Sequence, residues 1–298
     1  MSESQDKSLA WYLHPNEVVR MMRCKVVDAI NPLIDVTPKY GSDIKIGVVI
    51  TDDASYAHID LLLHYLKNVN KIDDILIYDD GRNEGLSKLA TEYNIDIYSS
   101  LKKYKSYAFK GSIHEQNAFY KGLKWAKDKN LDILVRFSSM LIPCCEWVSS
   151  FKQLVLDSDG VTFSSYCPKC QLPIRVECIG MNVNAWTNDF TMNYMKFNVE
   201  NELIVFPEYW IDSMAKQIDG QNFSKKYRKW KDSHYTGQLR SGYVHWYSIL
   251  GKCRLTKDDR MNDVLWIDYT SKEEYFNKIN EVFPNKYRIE DLTKGDNA

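Results

Sequence analysis

The chain has 298 residues, a formal net charge of -1, and 44% hydrophobic and 27% charged residues. This length is enough for one large α/β domain or two small ones, and the composition is that of an ordinary globular protein. The near-neutral charge excludes a global positive field that would recruit nucleic acid or an anionic membrane. No apolar run reaches the roughly 20 residues of a membrane-spanning helix.

Residues 1–43 are predicted to form a helical arm. Apolar side chains recur at helical spacing between Trp11 and Ile30, and Pro32 and Pro38 end the pattern. Such a helix either packs on the domain or serves as the arm of a homodimer. The polar N-terminus lacks the basic-then-apolar order of a secretory signal, which favours a cytoplasmic protein.

The next segment, Lys45–Gly81, predicts a strand, a helix and a second strand. Ile46–Thr51 is a short apolar run rich in β-branched residues, which is typical of a buried parallel strand. Apolar residues then recur at three- and four-residue spacing, as in a helix. Ile75–Tyr78 is the second strand, and such a unit is nearly always a parallel crossover.

The alternation continues along the chain. Further helices are predicted at Gly85–Asn94, His114–Lys129 and Glu146–Leu156, further strands at Ile95–Tyr98 and Leu131–Phe137, and a polar loop at Lys102–Gly111. Regular alternation of this kind predicts an α/β fold with a doubly wound, mostly parallel sheet flanked by helices.

The composition changes in the second half of the chain. Predicted elements there are strands at Gly160–Ser165 and Ile174–Asn182, a helix at Glu208–Ile218, a basic stretch at Gln221–Arg240, an aromatic stretch with two strand-like runs at Ser241–Arg254, and a flexible tail at 292–298.

Polar residues follow the first two predicted strands. Thr51 and Asp52 close one strand, and Asp79 and Asp80 close the next. Ligands of open parallel sheets bind beyond the carboxyl ends of the strands, and carboxylates there accept hydrogen bonds from a ribose or base, or hold a cation. The alternative is that Asp79-Asp80-Gly81 is only a turn, because Asp and Gly favour turns.

Four segments, in this order, resemble the GT-A glycosyltransferases, especially the family-2-like bacterial and viral enzymes. IGVVIT is similar to their first strand, IDDILIYDDGRNEG to their DDG segment, GSIHEQNA to a helix motif, and ILVRFSSMLIP to the strand that carries Asp-X-Asp. The resemblance covers about Lys45–Phe151, and the DDG segment is its most specific part.

The resemblance implies a GT-A-like fold and a glycosyltransferase. Residues 44–160 would bind a UDP- or GDP-type nucleotide sugar, and residues 161–291 a saccharide or lipid-linked glycan acceptor. By the same resemblance Thr51, Asp52 and Asp80, with Asp79 beside them, would contact the base and ribose.

The chain departs from this family at the Asp-X-Asp position, where it carries Ser138 and Ser139 and no carboxylate. Hydroxyls are poor substitutes for the charged oxygens that Mg²⁺ or Mn²⁺ prefers. Charge on the leaving diphosphate would then be met by Lys110, His114 and Arg136, helped by the basic run Lys225–Lys231. Two options follow: metal-independent transfer, or a non-catalytic nucleotide-sugar binder. Arg136 could instead form a surface ion pair.

Catalysis would need a base that takes the proton of the acceptor hydroxyl. The resemblance implies an acid in the second half, which fits Glu208 best, with Asp212 one turn later and Glu177 as the other candidate. Glu208 is also the kind of acid that favours a helix N-terminus through the dipole. His245 resembles a late His set against the diphosphate, or is a packing residue among aromatics.

The sequence also bears on two further classes of site, a zinc site and the common catalytic motifs. Cys167-Pro-Lys-Cys170 with Cys178 has the spacing of zinc ligands, but no second CxxC or paired His accompanies it, so reduced structural thiols are the alternative. Motifs of P-loop, dinucleotide-binding, zinc-protease and serine-hydrolase sites are absent from the sequence. A nucleotidyltransferase would need a glycine-rich, basic loop where Asp52-Asp53-Ala54-Ser55 stands.

Overall fold

A computed structural model describes residues 40–41, 43–52, 55–81, 83–100, 110–139, 141–143, 147–158, 161–164, 178–202, 210–211, 214–215, 218, 264–266 and 272–292. Its strands are β1 Ile46–Thr51, β2 Asp74–Asp79, β3 Asp96–Ser99, β4 Ile133–Ser138, β5 Leu141–Pro143, β6 Thr162–Ser164, β7 Cys178–Asn182 and β8 Val264–Trp266. Its α-helices are α1 Tyr56–His64, α2 Leu86–Tyr93, α3 Lys110–Asp128, α4 Val148–Ser158, α5 Val183–Trp186, α6 Asp189–Glu200 and α7 Lys272–Val282. A π-helical turn, Tyr65–Val69, continues α1, and a 3-10 turn covers Ile289–Leu292.

The main sheet has six strands in the order β3-β2-β1-β4-β7-β6. The four strands from β3 to β4 are parallel, whereas β7 runs antiparallel to β4 and β6 antiparallel to β7. A separate two-stranded sheet pairs β5 with β8. The prediction of an α/β fold with a doubly wound, mostly parallel sheet is confirmed, with an antiparallel extension at one side.

Apolar layers cover both faces of the sheet. One layer contains side chains from α1, α2, α4 and α7, and the other contains side chains from α3, α5 and α6. Every residue of β1 is buried, as expected for a central strand between two helical layers. Helix α3 approaches the sheet closely at Gly122, where an added Cβ would lie 3.2 Å from side-chain atoms of Leu134 and Val49.

Several predicted boundaries change in the structure. The prediction of a loop through Gly111 was wrong at its end, because α3 begins at Lys110. The first turn of α3 has no apolar periodicity, so the pattern predicted a helix start at His114, four residues after the observed one. Strand β4 extends to Ser138, one residue beyond its predicted end.

The second half of the chain is described only in part. The predicted strands appear as β6 and β7, and the predicted helix Glu208–Ile218 is represented by its buried helical residues Trp210, Ile211, Met214, Ala215 and Ile218. The predicted N-terminal arm through residue 39 and the stretches Gln221–Arg240 and Ser241–Arg254 lie outside the described residues. Among the helices that are described, none is long and apolar enough to cross a membrane.

Candidate functional site

The strand order of the sheet changes direction at β1, which makes the boundary between β1 and β4 a topological switch point. The chain adds β2 and β3 on one side of β1 and then returns to place β4 on the other. Thr51 of β1 pairs in register with Ser138 of β4, so both residues lie at the same carboxyl edge. In open α/β sheets, ligands bind outside the carboxyl ends of the strands at such a switch point.

Asp52 links the loops that follow β1 and β2. Its carboxylate accepts hydrogen bonds from the backbone N–H of Asn83, at 3.2 Å, and from the Asn83 side-chain amide. Its backbone N–H also donates to the carbonyl of Tyr78, at 3.1 Å. The two loops therefore meet over the edge of the sheet, with Asp52 at their junction.

Asp52 is buried, with only 1% of the residue exposed. Burial raises its pKa from an ordinary 3.8 to about 7; the carboxylates of Asp80 and Asp79 add to the rise, and the Asn83 hydrogen bonds oppose it. Strongly shifted carboxyls concentrate at functional sites, although buried structural carboxyls behave in the same way.

The two acids that close β2 have different surroundings. Both carboxylate oxygens of Asp79 are engaged locally: Gly81 N–H donates to one at 2.8 Å and the Ser99 hydroxyl to the other at 2.8 Å. Gly81 has a φ of +84°, which glycine adopts without steric cost. Asp79 thus shapes the turn, as the alternative interpretation predicted, while Asp80 is half-buried and close enough to Asp52 to affect its pKa.

A row of polar side chains crosses the α3 face of the carboxyl edge. Tyr78, Thr51 and Ser138 are register partners on β2, β1 and β4. Above them, Asn117 of α3 donates to the Tyr78 hydroxyl at 2.7 Å, and Nδ1 of His114 lies 3.5 Å from the same oxygen. The predicted residue His114 therefore does lie at the strand ends.

Arg136 also lies in this region, but its environment is not the surface. Its Nη2 donates to Glu115 of α3 at 2.7 Å and to Thr51 Oγ1 at 2.8 Å. The side chains of Arg136 and Glu115 are only 3% and 14% exposed. The alternative expectation of a surface ion pair is wrong, because the pair is buried between β4 and α3.

Ser138 and Ser139 are fully buried in this conformation. They occupy the position at which the GT-A glycosyltransferases, which the sequence resembles, carry metal-binding acids. Hydroxyls without a carboxylate do not fit a hard divalent cation. No group of three or more His, Cys, Asp or Glu side chains suited to a metal occurs within the described ranges. Ser138 and Ser139 therefore supply no charged ligand for a metal-bound diphosphate at this position.

The predicted acceptor-side residues Glu208, Glu177, Asp212 and His245 lie outside the described residues, as do Cys167 and Cys170. Lys110 and Cys178 are described by their backbone alone. Sequence reasoning did not single out Asn83, Glu115 or Tyr78. The sequence does show that the first half of α3 is polar and that an Asn follows the DDG segment. A single sequence does not show which distant residues these side chains contact.

No family model matches this chain, and no curated protein matches it. Solved structures do. The glycosyltransferase GlyE of Streptococcus pneumoniae is 12% identical with a TM-score of 0.46, over 83% of this chain and 66% of that one. A cytidylyltransferase from Leptospira borgpetersenii is 12% identical with a TM-score of 0.36, over 83% of this chain and 99% of that one. Glucosyl-3-phosphoglycerate synthase from Mycobacterium tuberculosis is 13% identical with a TM-score of 0.34, over 65% and 88%.

At identities of 12–13% and TM-scores below 0.5, these similarities say nothing about the function of this chain.

Proposed function

We propose that the protein is a glycosyltransferase that takes a sugar from a nucleoside-diphosphate sugar and adds it to a saccharide or glycan acceptor. The observation that carries this proposal is the placement of Asp52 and Asp80 directly after the adjacent strands β1 and β2, at the carboxyl edge beside the switch point of the sheet. Two acids in this place match the hydrogen-bond donors of a nucleoside, which are base N–H groups and ribose hydroxyls.

The half-buried Asp80 would accept the ribose hydroxyls, while the buried Thr51 and Asp52 would hold in place the loop that faces the base. His114 would donate to the diphosphate from the same edge. Arg136 is a weaker candidate for that task than the sequence suggested, because Glu115 already opposes its charge. Lys110 and the basic run Lys225–Lys231 are further proposed cations.

The chemical step needs one base. As the acceptor hydroxyl attacks the anomeric carbon, its proton passes to a carboxylate, proposed as Glu208, and the diphosphate leaves with the electron pair of the broken C–O bond. Asp212 and Glu177 are the other proposed acids. Because Ser138 and Ser139 do not fit a divalent cation, we propose that no metal is needed to stabilise the leaving group.

The first prediction concerns donor affinity. Asp80→Asn should weaken the binding of the preferred nucleotide sugar about tenfold or more, because a hydrogen bond to a charged acceptor is worth roughly 1.5–3 kcal/mol. Titration calorimetry measures this change. Asp128→Asn is the matched control, because Asp128 is exposed at the far end of α3. This variant should bind the donor as tightly as the wild type does. Equal affinities of the two variants would remove Asp80 from the donor site.

The second prediction concerns turnover. Glu208→Gln should reduce sugar transfer by about a hundredfold or more, the usual contribution of a general base, and leave donor affinity unchanged. Transfer by the wild type should persist in EDTA. Glu200→Gln, an exposed carboxyl on α6, is the control. Full activity of Glu208→Gln would assign the base elsewhere, and loss of activity in EDTA would refute metal independence.

A non-catalytic nucleotide-sugar-binding or assembly subunit is the second candidate. The observation that favours it is that the buried Ser138 and Ser139 occupy the position of the metal-binding acids of the GT-A enzymes that the sequence resembles. Tight donor binding without hydrolysis or transfer, across simple and lipid-linked saccharide acceptors, would support this alternative.

A further inference from the structure

The ion pair between Arg136 and Glu115 joins three elements at the switch point. Arg136 belongs to β4, Glu115 to α3, and Thr51, which accepts a second hydrogen bond from the same Arg136 nitrogen, ends β1. The two distances are 2.7 Å and 2.8 Å. The Arg136 side chain therefore joins β4 both to α3 and to the end of β1, and β4 and β1 are the two strands that flank the switch point.

Stability alone is a poor explanation for a charged pair in this place. The side chains are only 3% and 14% exposed, and removing two ions from water costs about as much as their attraction returns. Apolar side chains of similar volume would fill such a space equally well or better. A geometric role accounts for the pair, because the guanidinium is a rigid planar fork that fixes the direction of its acceptors.

The acceptor that this fork fixes is the hydroxyl of Thr51. Asp52 follows directly and is itself held by Asn83, so the loop after β1 has one attachment to β4 and α3 and another to the loop after β2. Loss of the first attachment would remove the side-chain link from the start of this loop to β4 and α3, while the backbone pairing of β1 and the Asn83 contacts would remain.

We propose that Glu115 and Arg136 are a positioning pair for the donor site. Glu115 orients the guanidinium, the guanidinium orients Thr51, and Thr51 sets the place of the loop that begins at Asp52. This inference rests on the proposed function and deepens it. It also gives Arg136 a different role from the one expected from the sequence, which was direct contact with the diphosphate.

The test replaces both charges at once. The variant E115M/R136M should fold with a melting temperature close to that of the wild type. It should bind the preferred nucleotide sugar about tenfold more weakly and exchange the backbone amides of residues 51–58 faster. Thr51→Val should produce part of the same change alone and add little to E115M/R136M, because both act through one hydrogen bond.

The control is the exposed pair on α7, changed in K278M/E281M, which should alter neither donor binding nor amide exchange. Three results would overturn the proposal: wild-type exchange and affinity in E115M/R136M, a Thr51→Val effect that adds in full, or failure of E115M/R136M to fold. The last result would make the pair a stability element. If no nucleotide sugar binds the wild type, the proposed function fails, whereas amide exchange still decides whether the pair positions the loop.

Discussion

Replacing Asp60 with alanine is expected to lower the free energy of unfolding by about 3 kcal/mol. Asp60 lies on α1 with its side chain fully buried. It accepts hydrogen bonds from the hydroxyl of Tyr93, at 2.5 Å, and from the hydroxyl of Tyr287, and it pairs with the ammonium of Lys286 at 2.7 Å. These contacts attach the segment after α7 to α1 and α2.

The loss should be large because the partners cannot all be satisfied without the carboxylate. Burial, reinforced by Asp60, raises the pKa of both Tyr93 and Tyr287, so each phenol remains a donor that needs an acceptor. Lys286 is 38% exposed and can return to water, which limits the loss.

Urea denaturation of Asp60→Ala against the wild type measures this effect. Glu281→Ala is the control, because Glu281 belongs to an exposed ion pair on α7, and such pairs contribute at most about 1 kcal/mol. A loss of the same small size in Asp60→Ala would contradict a structural role for the buried cluster.

The second large effect is the pH dependence of stability caused by Asp52. Its pKa in the folded protein is about 7, above the ordinary 3.8, so the folded state binds the proton more tightly than the unfolded state. The stability that this proton contributes is fully present below about pH 4 and is lost as the pH rises through 7. A shift of this size corresponds to about 4 kcal/mol.

Asp52→Asn should therefore flatten the decline in stability between pH 4 and pH 8, and be more stable than the wild type at pH 8. Asparagine is close in shape to the protonated carboxyl and cannot ionise. Urea denaturation across this pH range makes the measurement, with Asp128→Asn as a control that removes one exposed carboxyl. Identical pH profiles for Asp52→Asn and the wild type would show that Asp52 ionises without cost.

Much of the central sheet could be predicted from the sequence. The strands β1, β2 and β4 are short apolar runs whose neighbours change to helical spacing, and both periods follow from how side chains point from the backbone. The antiparallel pairing of β6 and β7 could not be predicted, because a single sequence does not specify which distant strands become neighbours. The strand β8 and helix α7 were not identified.

The sequence predicts where Asp52 and Asp80 lie, but not which residues they contact. The strand-end location of Asp52 and Asp80 follows from the rule for open sheets, whereas the Asn83 contact and the burial of Arg136 against Glu115 depend on loop and helix placement. The Asp60 cluster joins residues 226 positions apart in the chain, which periodicity cannot reveal.

We expect a nucleoside-diphosphate sugar to bind at the carboxyl ends of β1 and β2, beside Asp80 and the loop that begins at Asp52. The most direct measurement is thermal stabilisation of the wild type by UDP-, GDP-, CMP- and dTDP-sugars. At least one of them should stabilise the protein, by about 2.7 kcal/mol at a hundred times its Kd, and the stabilisation should fall in Asp80→Asn. No stabilisation of the folded protein by any of these donors, or equal stabilisation of Asp80→Asn, would contradict the claim.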